Sequence, residues 1–140
     1  AKDSLVVSRK DYHTQYEPVY YGWKNDAPRV CKVDDRTQSD LWSIPRPKRS
    51  DEHPTMKPIE LVARAIANSS RKGDTVLDLF GGSGSTMMAC EQTGRINYSM
   101  ELDPKYCDVI IQRLVNFTGN KELKLNGEEY TWEGPEEAGK

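Results

Sequence analysis

The feature that most constrains this chain is a short apolar run, Thr75-Val76-Leu77-Asp78-Leu79-Phe80, that passes without a break into Gly81-Gly82-Ser83-Gly84. β-Branched and apolar residues over so short a span predict a buried strand, and the glycines predict a tight turn at its end. Residues Ser85 to Thr93 then predict a short helix closed by Gly94. A strand, a glycine turn and a helix N-terminus in that order present backbone N–H groups, with no Cβ in the way, to a ligand at the carboxyl edge of a sheet. An α/β chain with a nucleotide-type binding crevice is the expectation.

The flanking sequence extends this unit in both directions. Pro58 is followed by Ile59, Val62, Ala63 and Ile66 on one helical face, with Gly73 just beyond, which predicts a helix from about Pro58 to Ser70. Asn97 to Leu102 predicts a second strand that ends at Glu101. Asp103-Pro104 has the form of an N-cap followed by Pro at the first helical position, and Tyr106, Ile110, Leu114 and Phe117 recur at helical spacing until Gly119. Upstream, Leu5-Val6-Val7 and Val19-Tyr20-Tyr21 predict one or two strands, the second stopped by Gly22, and residues 25–51 are loop-dominated. The acidic tail from Asn120 to Lys140 has Tyr130 and Trp132 as its large aromatic residues and is expected either to add an edge strand or to trail off.

Composition adds bounds. At 140 residues the chain has room for one core, so an enzyme built from it must be compact or incomplete. A net charge of −2 neither announces nor excludes a nucleic-acid partner, so any basic footprint must be local. No apolar run reaches the length of about 18 residues that a membrane span needs, and the chain is expected to be intracellular. Cys31, Cys90 and Cys107 lack the spacing of a disulfide framework or zinc site and are expected to be buried thiols. His13 and His53 are too poorly accompanied to suggest a metal site.

Two carboxylates narrow the ligand. After Gly82-Ser83-Gly84 the third glycine of a dinucleotide fingerprint is absent, and no Lys follows the last glycine as a phosphate-cradling loop requires. Asp78 stands just before the glycines, where it would repel a phosphate but attract an ammonium or sulfonium. Glu101 lies about twenty residues beyond the first glycine, where a carboxylate accepts ribose hydroxyl protons. Either acid alone fits a bland role, a loop cap or a surface charge. Together, with the glycines between them, they suit S-adenosylmethionine.

These residues also carry a resemblance. His53-Pro54-Thr55-Met56-Lys57-Pro58, the run from Asp78 to Thr86, and Met100-Glu101-Leu102-Asp103-Pro104-Lys105-Tyr106 resemble, in this order, the C-terminal half of a DNA amino-methyltransferase. The likeness is to the class whose catalytic segment precedes its cofactor-binding segment, met in phages and restriction–modification systems. Weaker similarity around Tyr12-His13-Thr14-Gln15-Tyr16-Glu17-Pro18 extends it toward the N-terminus, and Leu79 departs from the Pro of many relatives.

The resemblance implies a Rossmann-like S-adenosylmethionine-dependent methyltransferase fold, incomplete in this chain, in the cytoplasm of a bacterial cell or a phage-infected host. It divides the chain into a strand region of the methyltransferase sheet (1–24), a loop-rich target-recognition segment (25–52), a cofactor-binding region (53–119) and the acidic tail (120–140). Thr55, Lys57 and Pro58 match the element over the methionine part of the cofactor. Asp78, Phe80, Gly81, Gly82 and Gly84 match the glycine turn, with Ser85 and Thr86 opening the helix behind it. Glu101 matches the ribose acid, and Leu102 or Asp103 would border the adenine. Arg46, Lys48 and Arg49, beside Trp42, are candidates for contact with double-stranded DNA, against the equally plain reading of a solvated basic loop.

One element of the family is absent from this sequence. Its members methylate the exocyclic amine of adenine or cytosine through an Asp/Asn/Ser-Pro-Pro-aromatic element that accepts hydrogen bonds from the amine and stacks the extruded base. Asp103-Pro104-Lys105-Tyr106 is a near-match, but Lys105 replaces the second Pro and an N-cap is what that position needs. The resemblance therefore implies a catalytic element upstream of Ala1 and no catalytic residue within the chain. Two parallel strands cannot bury both faces of a sheet, so a partner is expected: an N-terminal half or a second copy. Two other readings stand beside this one. The first is a non-catalytic remnant or binding module that holds cofactor or DNA or pairs with a separate methyltransferase, and the second is an RNA or small-molecule methyltransferase.

Overall fold

The computed structural model describes residues 11–26, 33, 35–45 and 57–135. Within them the order of elements is α1 (Ile59–Ser69), β1 (Thr75–Asp78), α2 (Ser85–Thr93), β2 (Ile96–Ser99), α3 (Pro104–Thr118), β3 (Glu122–Leu125) and β4 (Glu128–Thr131). β1 and β2 pair in parallel, Thr75 opposite Ile96 and Leu77 opposite Tyr98, while β3 and β4 form a separate antiparallel hairpin.

Helix boundaries follow their punctuation. α2 and α3 end at Gly94 and Gly119, both left-handed at φ 69° and 71°, a backbone state that costs glycine no Cβ clash. α3 starts at Asp103, whose side chain accepts the Lys105 N–H, with Pro104 in the first turn. α1 buries the predicted stripe: Ile59, Val62, Ala63 and Ile66 meet Ala89 and Cys90 of α2, and Val76 of β1 packs against the same cluster. At the far end Arg95 ties the two helices together, donating to Ser70 O at 2.6 Å and to Thr93 O at 2.5 Å. A cation among carbonyls at helix C-termini is favourably placed against their dipoles.

The strands are shorter than their apolar runs. β1 stops at Asp78 rather than Phe80, and β2 runs from Ile96 to Ser99 rather than from Asn97 to Leu102. The glycine turn diverts the first chain, and regular pairing ends with it. Among the described residues only one face of the sheet is covered. Val76 meets the helices, whereas Leu77, Ile96 and Tyr98 on the opposite face are 65%, 51% and 61% exposed. The strand expected to stop at Gly22 is not formed: residues 15–24 have no strand pairing, and Val19, Tyr20 and Tyr21 are all exposed. Those residues have a strand's composition, but among the described residues no neighbouring strand lies beside them to complete a ladder. Leu5-Val6-Val7 lies outside the described residues.

The described part of the tail, residues 120–135, is neither an edge strand of the main sheet nor loose. Asn126 and Gly127, both at positive φ, turn β3 into β4, as an Asn-Gly hairpin loop does. Trp132, just beyond β4, is buried, and its indole N–H donates to Gln112 Oε1 of α3 at 2.9 Å. The hairpin thereby clasps α3. Cys90 is a buried free thiol whose pKa burial pushes up, Cys107 is partly buried, and Cys31 lies outside the described residues.

Candidate functional site

The carboxyl ends of β1 and β2 bring Asp78, the glycine turn and Glu101 together. The three glycines serve two purposes. A Cβ on Gly81 would stand 3.3 Å from both Ile110 Cδ1 and Met100 O, and one on Gly84 would stand 3.1 Å from Ile110 Cγ1. Gly81 and Gly84 therefore admit α3 to the turn, and Gly84 also adopts φ 78°. Gly82 differs. It too is left-handed, at φ 53°, but a Cβ there would meet nothing closer than Phe80 O at 3.8 Å. Of the three, Gly82 is the one that faces open space, as a glycine approached by a ligand must. Arg113 of α3 donates to Ser83 O and fixes the turn from behind.

Glu101 is held by backbone donors. Gly82 N–H reaches its Oε2 at 2.6 Å, and Leu102 N–H and Asp103 N–H reach Oε1 at 2.8 and 3.0 Å. The Asp103 N–H, then the Gly82 and Leu102 N–H groups, hold its carboxyl below the ordinary value, against burial and the nearby Asp78 charge, which push it up. Asp78 in turn accepts the Phe80 N–H at 3.0 Å. Phe80 and Leu102 follow the two acids in their respective loops and are 87% and 97% exposed. The site is thus two carboxylates flanked by two free apolar side chains.

The remaining expected residues divide. Lys57 and Pro58 enter α1, and Lys57 O accepts the hydroxyl of buried Ser85 at 3.1 Å, which ties this segment to the first turn of α2. Ser85 is engaged in that link and Asp103 in the N-cap of α3. Thr86 lies in the first turn of α2, partly buried. Thr55, Arg46, Lys48 and Arg49 lie outside the described residues. Sequence reasoning missed Ile110 and Arg113, which shape the turn from α3. It also missed a latch on α1, where Gln38 Oε1 accepts from Arg64 Nε at 3.1 Å and Asn68 Nδ2 at 2.8 Å while Arg64 stacks on Trp42 at 4.5 Å. That latch docks residues 38–42 onto the helix. Among the described residues no group of three His, Cys, Asp or Glu side chains is placed to hold a metal, and no helix is long and apolar enough to cross a membrane.

A parallel β–α–β unit with a glycine turn at one strand end and an acid at the next defines a Rossmann-like domain of the methyltransferase class. The chain belongs to the DNA methylase family, whose N6/N4 model matches residues 2–113. Among curated relatives it is 32% identical over 101 residues to the Type II methyltransferase M.Cfr9I of Citrobacter freundii, covering 72% of this chain and 34% of that protein. It is 37% identical over 116 residues to M.BamHI of Bacillus amyloliquefaciens, covering 79% of this chain and 25% of that protein. The crystal structure of an M1.HpyAVI–SAM complex superposes with a TM-score of 0.53 at 27% identity, over 60% of this chain and 43% of that one. The chain thus spans about a third or less of these curated relatives.

Proposed function

We propose that this chain is the cofactor-holding part of an S-adenosylmethionine-dependent methyltransferase acting on the exocyclic amine of adenine or cytosine in double-stranded DNA, in the cytoplasm of a bacterial cell. The observation that carries this reading is the cluster of Asp78, open-sided Gly82 and Glu101 at adjoining strand ends. Its chemistry fits the cofactor: an anion for a sulfonium and an ammonium, a carboxylate for a ribose diol, and exposed Phe80 and Leu102 for an adenine ring. When bound, S-adenosylmethionine supplies an electrophilic methyl group. Glu101 would hold the ribose diol, and Asp78 would attract the cationic groups. Lys57, tied to α2 through Ser85, and Pro58 would serve the methionine carboxylate, which the N-terminus of α2 also favours, and Thr55 joins them by its place in the sequence motif.

The amine-recognising element comes from a polypeptide outside this sequence, a further part of the same protein or a separate chain. The uncovered sheet face of Leu77, Ile96 and Tyr98 supports this, because parallel sheets are normally covered on both faces. DNA contact is assigned to Arg46, Lys48 and Arg49, which come in the sequence shortly after the segment that Gln38 and Trp42 anchor to α1.

Methyl transfer from labelled S-adenosylmethionine to duplex DNA tests the proposal, with the chain alone and with a polypeptide carrying an Asp-Pro-Pro-Tyr-type element. Incorporation is expected only in the combined reaction. Silence in both, from a chain that still binds the cofactor, makes it a binding module without turnover.

A further inference from the structure

Glu101 does more than end a strand. Regular pairing of β1 with β2 stops at Asp78 opposite Ser99. The two chains nevertheless stay joined beyond it, by Met100 N–H to Asp78 O at 2.8 Å, by Gly81 N–H to Met100 O at 2.8 Å and finally by Gly82 N–H to Glu101 Oε2 at 2.6 Å. The last bond is the only one of the three that depends on a side chain, and it is also the one nearest the open side of the turn.

The acceptor count at Glu101 has a consequence for ligand entry. An ionised carboxylate offers about four acceptor positions, two on each oxygen. Oε1 already takes Leu102 N–H and Asp103 N–H, and Oε2 takes Gly82 N–H. A vicinal diol brings two hydroxyl donors, so one of them must replace a donor already in place. Leu102 and Asp103 directly follow Glu101 in the chain and cannot leave without opening the cap of α3. Gly82 belongs to the opposite loop and has open space beside it. It is the donor that can withdraw.

We propose that Glu101 is a positioning residue for the glycine turn, a latch that holds Gly82 N–H while no ligand is present and releases it to the incoming ligand when a vicinal diol takes its place. This rests on the cofactor reading above and adds an exchange at the site. Glu101 thereby sets the turn in its receptive geometry before binding, and the freed Gly82 N–H becomes a donor for the ligand.

The test is the amide resonance of Gly82 in the 15N-labelled 140-residue chain, compared with Glu101→Gln and Glu101→Ala and titrated with adenosine and with 2′,3′-dideoxyadenosine, which lacks the diol. In the ligand-free chain the Gly82 proton should resonate well downfield, lose that shift in Glu101→Ala and retain part of it in Glu101→Gln. Adenosine should move it, whereas dideoxyadenosine should leave it in place while shifting amides near Phe80 and Leu102. A Gly82 resonance indifferent to both substitutions overturns the latch. Adenosine binding that leaves Gly82 unmoved, or dideoxyadenosine moving it equally, overturns the exchange. Should Gly82 respond to the substitutions while adenosine perturbs no amide, the cofactor reading fails, and the exchange with it, although the ligand-free contact stands.

Discussion

Ile110 of α3 occupies the space that a side chain on Gly84 would need: a Cβ there would stand 3.1 Å from Ile110 Cγ1 and 3.2 Å from Cγ2. The glycine turn is shaped as much by the helix behind it as by any ligand in front. Gly84→Ala therefore meets both a left-handed backbone and a crowded neighbour, together about 2–4 kcal/mol of destabilisation. Gly82→Ala meets only the backbone term, roughly 1–2 kcal/mol, but places a methyl group on the open side of the turn. Urea unfolding should rank Gly84→Ala as the less stable variant, with Gly82→Ala losing more S-adenosylmethionine affinity than its stability loss explains. Equal destabilisation by the two would contradict the division of labour among the glycines.

Much of this unit was legible because its signals are local. Gly94, Gly119 and Asp103-Pro104 bound their helices as expected, since each acts through its own backbone. The stripe of Ile59, Val62, Ala63 and Ile66 likewise names a buried face. What was not legible depends on partners. The run Val19-Tyr20-Tyr21 has strand composition, yet composition reports what a residue tends to bury and not whether a neighbouring strand is there. Phe80 and Leu102 extend the apolar runs in the sequence, but the loops that follow β1 and β2 carry them into solvent. At the site, Asp78 and Glu101 were placed by their spacing from the glycines. The assignment of Gly81 and Gly84 to helix packing needed Ile110, which is far away in sequence.

The pH dependence of stability should report Glu101. Its folded-state pKa is lowered from an ordinary 4.5, chiefly by the Asp103 N–H and next by Gly82 N–H. The ionised form is thus favoured in the folded chain, and its contribution is fully present above pH 4.5 and lost as pH falls through the lower folded value. Asp78 opposes this from the end of β1, so the Asp78→Asn variant should move the loss to still lower pH. Thermal unfolding between pH 3 and pH 6 (about the carboxylate range) should show a steeper decline for the natural chain than for Glu101→Gln. Identical profiles would remove Glu101 from the set of groups that link folding to protonation.

The C-terminal hairpin should behave as a clasp. Trp132→Ala removes a buried indole and its bond to Gln112, and a loss of about 3 kcal/mol is expected. Gln112→Ala keeps the packing and removes one partner, for about 1 kcal/mol. Hydrogen exchange should show faster exchange in the last turns of α3 for Trp132→Ala, and less change for Gln112→Ala. A wild-type melting temperature in Trp132→Ala would show that the hairpin is decoration.

The central claim is that Asp78, Gly82 and Glu101 form a working site for S-adenosylmethionine. Calorimetric titration of the cofactor into the folded chain, beside Asp78→Ala and Glu101→Ala, tests it most directly. The account predicts saturable one-to-one binding that both substitutions abolish or weaken severely. Absence of binding by a chain shown to be folded, or binding that both variants retain unchanged, would contradict it.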